Sequence, residues 1–290
     1  MATPREIRRR IRSVRNTAQI TRAMEMVSAA KMRRAQERVR AARPYAERIR
    51  TMIAGLSALG DQEAVAEFPL LEQREINRVG VVLVTADRGL AGAFNTNIIR
   101  RAVRFIRDET GKPAELITVG RKGRDFFSRY GQDIEAEFTA LGDAPSMDTL
   151  RPIIGVAVED FVAGKVDAVY LIYTKFVNTL TQVPEVLQIL PITPPEEAMA
   201  EEQVRDFIFE PDPHTVLEAL LPRYVETLVY QALLESIASE HSARMVAMRA
   251  ASDNANDFIN DLTLTLNKAR QAAITREVSE IAAGAAAAGR

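Results

Sequence analysis

The chain has no cysteine among its 290 residues, which removes disulfides, thiolate-ligated zinc and thiol nucleophiles from consideration. Histidine is nearly as scarce. His214 and His241 are the only two and lie far apart in sequence, so the composition offers no His-rich metal site. Apolar runs are short as well: none approaches the ~20 residues that span a membrane as a helix. The basic N-terminus lacks the apolar stretch of a secretory signal, and it lies inside a sustained helical repeat, so it does not read as a transit peptide. No nucleophile–base constellation is found, and catalysis by this chain alone is not expected. These absences describe a soluble chain of a cytoplasm-like compartment, with no metal, no cofactor and no direct small-molecule substrate.

Acidic residues are rare at one end. Residues 1–50 hold fourteen Arg and one Lys against four Glu, an excess of +11 in a chain of net charge −1, which leaves about −12 for the remainder. Such a helix could meet nucleic acid, phosphates or an acidic protein face. Base stacking needs aromatics among the charges, and Tyr45 is the only one there. A solvated coiled-coil flank accounts for Arg8, Arg12 and Arg15. Flanks of that kind mix signs, however, and the shortage of carboxylates favours an acidic protein partner over DNA.

What is present is helical periodicity of unusual extent at both ends. Ile7 to Leu56 and Pro222 to Ile281 read as helices that would reach roughly 75 and 90 Å at 1.5 Å per residue. Thr3-Pro4-Arg5-Glu6 supplies a cap, a proline at the first helical position and a Glu three residues after the Thr. A seven-residue repeat follows through Ile7, Ile11, Val14 and Ala18, and resumes at Met32, Ala35, Val39, Ala42, Ala46, Ile49, Ile53 and Leu56, the pattern of a coiled-coil seam. Between these runs the register positions are Thr21, Glu25 and Ser28, while the apolar residues shift to Ile20, Met24 and Val27, a local change of phase that predicts a different environment around Met24. Pro44 predicts a kink within one helix. At the other end a seam runs Leu234, Ala238, His241, Met245, Met248, Ser252, Ala255, Ile259, Leu262, Leu266, Ala269 and Ala273. Beyond it Arg276 and Glu280 take the seam positions, so the last turns are expected to stand alone.

The middle changes character. Val79 to Thr85 is a continuous β-branched run suited to a strand buried on both faces. A helix through Ile98 and Ile106, a strand Leu116 to Val119, a helix near Asp125 to Tyr130, a strand near Ile134 to Phe138, a helix Met147 to Val162 and a strand Ala168 to Tyr173 follow. That alternation predicts a mainly parallel, Rossmann-like α/β domain. Gln182 to Leu190 adds a strand that Pro184 confines to an edge or a bulge. The expected organisation is an N-terminal shaft helix over 1–60, an inserted α/β domain over 75–195, and a C-terminal shaft helix over 210–290 that pairs antiparallel with the first.

Asp87-Arg88-Gly89-Leu90-Ala91-Gly92-Ala93-Phe94-Asn95 follows the first buried strand, where a parallel α/β domain can bind phosphate. It lacks both G-x-G-x-x-G and the Lys-Ser/Thr of a phosphate loop. It reads better as a tight strand-to-helix turn with an Asp-Arg surface pair. His241, on the seam, reads as a packed core residue, and Met24, Met26 and Met32 read as packing.

Several stretches together resemble the ATP synthase gamma chain family. Ile20-Thr21-Arg22-Ala23-Met24-Glu25-Met26-Val27-Ser28-Ala29-Ala30-Lys31-Met32-Arg33-Arg34-Ala35-Gln36 is similar to that family's N-terminal helix. Asn267-Lys268-Ala269-Arg270-Gln271-Ala272-Ala273-Ile274-Thr275-Arg276-Glu277 is similar to its terminal signature. Asp87-Arg88-Gly89-Leu90 with Gly92 and Asn95, Gln182-Val183-Pro184, and Glu210-Pro211-Asp212-Pro213 match in order between them. The family often has Cys where Ala91 stands here, and Tyr occurs in some relatives at Phe207 and Phe209.

The resemblance implies a non-catalytic central rotor shaft. Its paired helices would pass up a ring of alternating alpha and beta subunits, with the α/β domain below, beside the epsilon chain and on the proton-driven membrane c-ring. It implies that Met24, Lys31, Arg33, Arg34, Arg244, Arg270, Gln271 and Thr275 face the catalytic ring, the three cations near Met24 meeting its acidic lever segment. It implies that Phe207, Phe209 and Glu210 touch the membrane ring, and that the chain works at the cytoplasmic face of a bacterial cell membrane. The competing reading is a nucleotide- or nucleic-acid-binding protein that uses the α/β domain and the Arg-rich helix; the resemblance implies no nucleic acid.

Overall fold

A computed structural model describes residues 3–59, 68–193 and 210–288. They fall into two compact units, one made of Ala29–Arg244 and the other of Met1–Ser28 with Met245–Arg290. Two helices, α1 (Pro4–Leu59, 56 residues) and α5 (Pro213–Ala288, 76 residues), contribute to both.

The larger unit holds a five-stranded sheet of β1 (Val79–Val84), β2 (Ala114–Val119), β3 (Ile134–Phe138), β4 (Ala168–Phe176) and β5 (Gln182–Leu190). The order is β3-β2-β1-β4-β5. The first four strands run parallel, and β5 pairs antiparallel with β4 at the edge. Pro184 sits on that edge strand opposite Thr174, where its missing N–H costs least. Helices α2 (Phe94–Arg104), α3 (Arg121–Arg129) and α4 (Met147–Val162) connect the strands.

The β-branched run of β1 is apolar throughout because alternate residues serve two cores. Val79, Val81 and Leu83 pack with Ile98 and Ala102 of α2 and Phe127 of α3. Val82 and Val84 face the opposite side, with Leu150, Ile153, Ala157 and Phe161 of α4. That second core also takes in Ala35, Ile49 and Ile53 of α1 and Leu217, Leu221, Val225, Val229 and Leu233 of α5. The α/β layer is thus built onto the inner segments of both long helices.

Several boundaries differ from those read in the sequence. Helix α3 begins at Arg121 and not near Asp125, because the Gly123 N–H donates to Thr85 Oγ1 at 2.9 Å and the Arg121 N–H to Asp87 at 3.1 Å. Gly120 just before it has φ of 96°, and a Cβ there would lie 2.1 Å from the Thr85 carbonyl oxygen. Helix α5 begins at Pro213, close to the 210 expected for the C-terminal shaft helix and nine residues before the Pro222 that opens the long end segment. Asp212 caps it through the Thr215 N–H (2.9 Å) and hydroxyl (2.7 Å), and Pro222 is carried inside. Strand β4 extends to Phe176, paired with Gln182 across the turn.

In the smaller unit the capping expectation holds: the Thr3 N–H donates to Glu6 at 2.8 Å and the Glu6 N–H to Thr3 Oγ1 at 3.3 Å. Burial on α1 follows Ile7, Ile11, Val14, Ala18, Thr21, Glu25 and Ser28, and on α5 Met248, Ser252, Ala255, Ile259, Leu262, Leu266, Ala269 and Ala273. Glu25 reaches Arg249 at 3.9 Å. With Glu25 beside the start of the second segment and Ile7 still covered, the two segments run antiparallel. The register positions read in the sequence therefore hold across Met24, and the apolar residues displaced from them face outward. The seam keeps its step and fills with Thr21, Glu25 and Ser28, while Ile20 and Val27 are 60% and 54% exposed.

Candidate functional site

The motif after β1 does not form a phosphate cradle. Asp87 accepts from the Arg121 N–H at 3.1 Å and the Ala140 N–H at 2.9 Å, joining three loops at the C-terminal edge of the sheet. Its cationic neighbour is Arg121 at 3.7 Å and not the adjacent Arg88, which corrects the expected local pair. Asn95 accepts from the Ala86 N–H at 3.0 Å and fixes the base of the turn. Leu90, at φ 62°, is turned outward.

The crevice where parallel α/β sheets bind ligands lies outside the strand ends where neighbouring connections diverge, here between β1 and β4. Helix α5 occupies it. Ala243 packs on Ala86, Ala91 and Phe94. Ser239 donates to the Thr174 carbonyl at 3.1 Å, and Arg244 Nη2 donates to the Gly89 carbonyl at 3.3 Å.

Beside that contact lies a polar network drawn from three places in the chain, helix α1, the loop ahead of α4 and helix α5. Lys31 of α1 meets Asp143 Oδ2 at 2.7 Å, and Arg38 donates to the Asp143 carbonyl at 2.8 Å. His241 Nε2 lies 2.8 Å from Asp143 Oδ1, and Arg244 Nη1 lies 3.2 Å from His241 Nδ1. Arg244 Nη2 also reaches Glu240 at 2.5 Å, one turn back on α5. A guanidinium only donates, so Nδ1 must accept, and the imidazole is neutral with its proton on Nε2, pointed at Asp143. Burial holds the His241 imidazole below its ordinary value, against the opposing pull of Glu240 and Asp143. Burial pushes the Asp143 carboxyl up, but the hydrogen bonds from Lys31 and His241 outweigh it and hold the group below its ordinary value. His241 is thus buried as expected, yet as a polar centre in place of an apolar seam residue.

Of the residues singled out in the sequence, the structure brings together Lys31 and Arg244, linked through Asp143 and His241. Arg33 and Arg34 are exposed on α1. Met24 is half-buried on α1 in the smaller unit, where Arg270, Gln271 and Thr275 are exposed on α5. Glu210 is exposed, whereas Phe207 and Phe209 lie outside the described residues. Sequence reasoning missed Asp143, for which no local pattern exists. Ile20 and Val27 are exposed, in line with their displacement from the register positions, and so is Met26, which had been read as packing. Past Ala273, Ile274, Val278 and Ile281 are exposed, as the end of the repeat predicted.

Among the described residues no helix is long and apolar enough to cross a membrane, and no three His, Cys, Asp or Glu side chains cluster as metal ligands. A sequence model of the family described as ATP synthase matches residues 3–288. An ATP synthase gamma chain of Chloroflexus aurantiacus is 54% identical over 292 residues, covering 99% of both chains. One from Cupriavidus pinatubonensis is 49% identical over 293 residues, covering 99% of this chain and all of that one. A solved central stalk and c-ring of Tetrahymena thermophila mitochondrial ATP synthase contains a chain of 25% identity and TM-score 0.62, covering 80% of this chain and 99% of that one. A chain of the Euglena gracilis mitochondrial ATP synthase has the same fold at TM-score 0.68 and 19% identity, covering 98% of this chain and 94% of that one.

A mixed α/β layer carried on two long helices, with the crevice of its sheet filled by its own chain, is the class of fold found in the central stalk of ATP synthase. The chain belongs to the ATP synthase gamma chain family, whose members are the central rotor shaft of that complex.

Proposed function

We propose that this chain couples rotation of a proton-driven membrane c-ring to nucleotide binding, synthesis and release in the beta subunits, lending no catalytic group of its own. The observation that carries the reading is the outer surface of the smaller unit. Its helices bury a narrow seam and leave Ile20, Met26, Val27, Ile274, Val278 and Ile281 exposed beside a strongly cationic flank. Apolar side chains at that density call for a surrounding partner. A ring of alternating alpha and beta subunits fits, with acidic segments opposite Arg33 and Arg34.

Because the exposed residues differ around the helix pair, each subunit of such a ring would meet a different contact surface. Only a difference in contact free energy between states can shift a conformational equilibrium. An asymmetric shaft would therefore hold each catalytic site in a different state, and turning it would move the states around the ring. On this reading residues 1–60 and 210–290 form the shaft and 75–195 the domain beside it. Met24, Lys31, Arg33, Arg34, Arg244, Arg270, Gln271 and Thr275 would face or support the catalytic ring. Phe207, Phe209 and Glu210 would meet the c-ring, next to an epsilon chain, at the cytoplasmic face of a bacterial membrane. Filling of the sheet crevice by Ala243 and Arg244 argues against a nucleotide there.

The test is assembly of the complex with and without this chain, reading ATP hydrolysis and ATP-driven proton pumping in the same vesicles. Loss of pumping in its absence is expected. Normal pumping without it would overturn the reading.

A further inference from the structure

Arg244, given a part in coupling by the proposed function, is held in place by three hydrogen bonds, to His241, Gly89 and Glu240. We propose that neutral His241 is a positioning residue that holds the Arg244 guanidinium on the Gly89 carbonyl, so that the tie between helix α5 and the turn after β1 is made only while the imidazole lacks a second proton. The proposal rests on the coupling role of Arg244 for its functional consequence, and on geometry alone for the tie itself.

His241 is 3% exposed and Arg244 8%. Arg244 Nη1 lies 3.2 Å from Nδ1, which accepts only as a bare nitrogen. A proton taken up from solvent at Nδ1 would set N–H against N–H and place two cations in contact in a buried site, where charges interact strongly. The guanidinium must then withdraw. Its bond to Glu240 travels with it, since Glu240 sits one turn away on the same helix. The bond to Gly89, at 3.3 Å, is the longest of its three and the one that crosses to another element. That is the bond lost.

The other charges facing the site set how hard the proton is to add. Asp143 accepts from Nε2 and favours the imidazolium, as does Glu240 on α5. Lys31, 2.7 Å from Asp143, neutralises part of that pull, and Arg38 holds the Asp143 carbonyl in place. Burial, the largest influence, and the Arg244 charge work against the proton and hold the imidazole below its ordinary value. The tie therefore opens as pH falls through the folded value of His241, which lies below the ordinary histidine value. His241→Gln isolates the proton, because a Gln amide can accept from Arg244 and donate to Asp143 but cannot titrate.

The experiment uses the assembled complex carrying either the native chain or H241Q. Hydrogen exchange at the amides of residues 89–95, corrected for intrinsic rate, is followed from pH 8 to pH 5.5. Loss of one charge-assisted hydrogen bond predicts about tenfold faster exchange at the acidic end in the native chain. In H241Q the corrected rate should stay flat. Identical profiles in the two complexes would overturn the proposal. Proton pumping per ATP hydrolysed, measured over the same range with Arg244→Ala alongside, separates the two readings. If R244A pumps normally, the coupling role of Arg244 fails while the exchange result still decides the tie. If R244A loses pumping but H241Q and native pumping fall together with pH, the proton control of coupling fails by itself.

Discussion

His241 Nε2 and Asp143 Oδ1 lie 2.8 Å apart although 98 residues separate them in the chain. Helix α5 supplies one and the loop ahead of α4 the other, and Lys31 of α1 closes the third side. One carboxylate thereby joins both long helices to the α/β layer. The arrangement makes the larger unit sensitive to pH in a definite direction.

Both groups are held below their ordinary values in the folded chain, His241 chiefly by burial, Asp143 by its hydrogen bonds in spite of burial. The unfolded chain therefore binds protons more readily than the folded one, and stability rises with pH across each window. The His241 contribution is complete above about pH 6.5 and is lost as pH falls through its lower folded value. The Asp143 contribution is complete above about pH 4 and erodes further down. Urea midpoints of the full chain should therefore fall between pH 7.5 and 5.5, and H241Q should lessen that fall. An equal fall in H241Q would assign the pH dependence elsewhere.

Gly120 makes a prediction independent of charge. At φ 96° its backbone is unfavourable for any side chain, and an added Cβ would meet the Thr85 carbonyl oxygen at 2.1 Å. That oxygen belongs to backbone that Thr85 and Gly123 hold in place, so it cannot yield cheaply. Gly120→Ala should cost about 3 kcal/mol or more by combining strain with overpacking. Gly131→Ala has a positive φ as well but open space around it, and should cost only about 1 kcal/mol. Denaturant titration of the two variants would show the difference, and equal losses would refute the steric argument.

The larger features were legible because local signals and the global fold agree in them. Helix α4 spans Met147–Val162 as read, since Ser146 caps it by accepting the Thr149 N–H and a positive-φ Gly164 follows its end. Strand β5 spans Gln182–Leu190 as read, since only an edge admits Pro184. Helix α5 starts at Pro213, close to the expected 210, because Asp212 caps it and Pro213 takes the first-turn position. The polar network was legible only in its cations. Lys31 and Arg244 were singled out by the resemblance to the gamma chain family, whereas Asp143 has no sequence signal that ties it to either. The stretch near Met24 was legible for a single physical reason. The helices keep their geometric step, so Thr21, Glu25 and Ser28 fill the seam at the register positions and the apolar residues off register face outward.

The Arg-rich helix can be divided by its pairing. Lys31 is engaged with Asp143, while Arg33 and Arg34 are exposed. Reversing Arg33 and Arg34 to Glu should leave the urea midpoint of the chain within about 0.5 kcal/mol of native, as surface substitutions do. The same change should lower ATP-driven proton pumping in the assembled complex. Lys31→Glu should do both, because it sets two carboxylates against each other and weakens folding by roughly 1 kcal/mol after allowance for solvent. If the double reversal pumps normally, the proposed acidic partner at that face is wrong.

The outward apolar residues give the clearest separation of folding from assembly. Ile7 and Ile20 lie on the same helix, thirteen residues apart, but Ile7 is 3% exposed and Ile20 is 60%. Ile7→Asp places a carboxylate on the buried seam and should destabilise the helix pair by about 3 kcal/mol. Ile20→Asp together with Val27→Asp touches no buried contact and should leave the free chain within about 0.5 kcal/mol of native. In the complex the order should change. The double variant should assemble poorly or pump weakly, because its new charges would be buried against the surrounding subunits without partners. Urea titration of the free chain followed by reconstitution with alpha and beta subunits reads both quantities. A double variant that folds, assembles and pumps as the native chain does would mean that these side chains face water in the working machine.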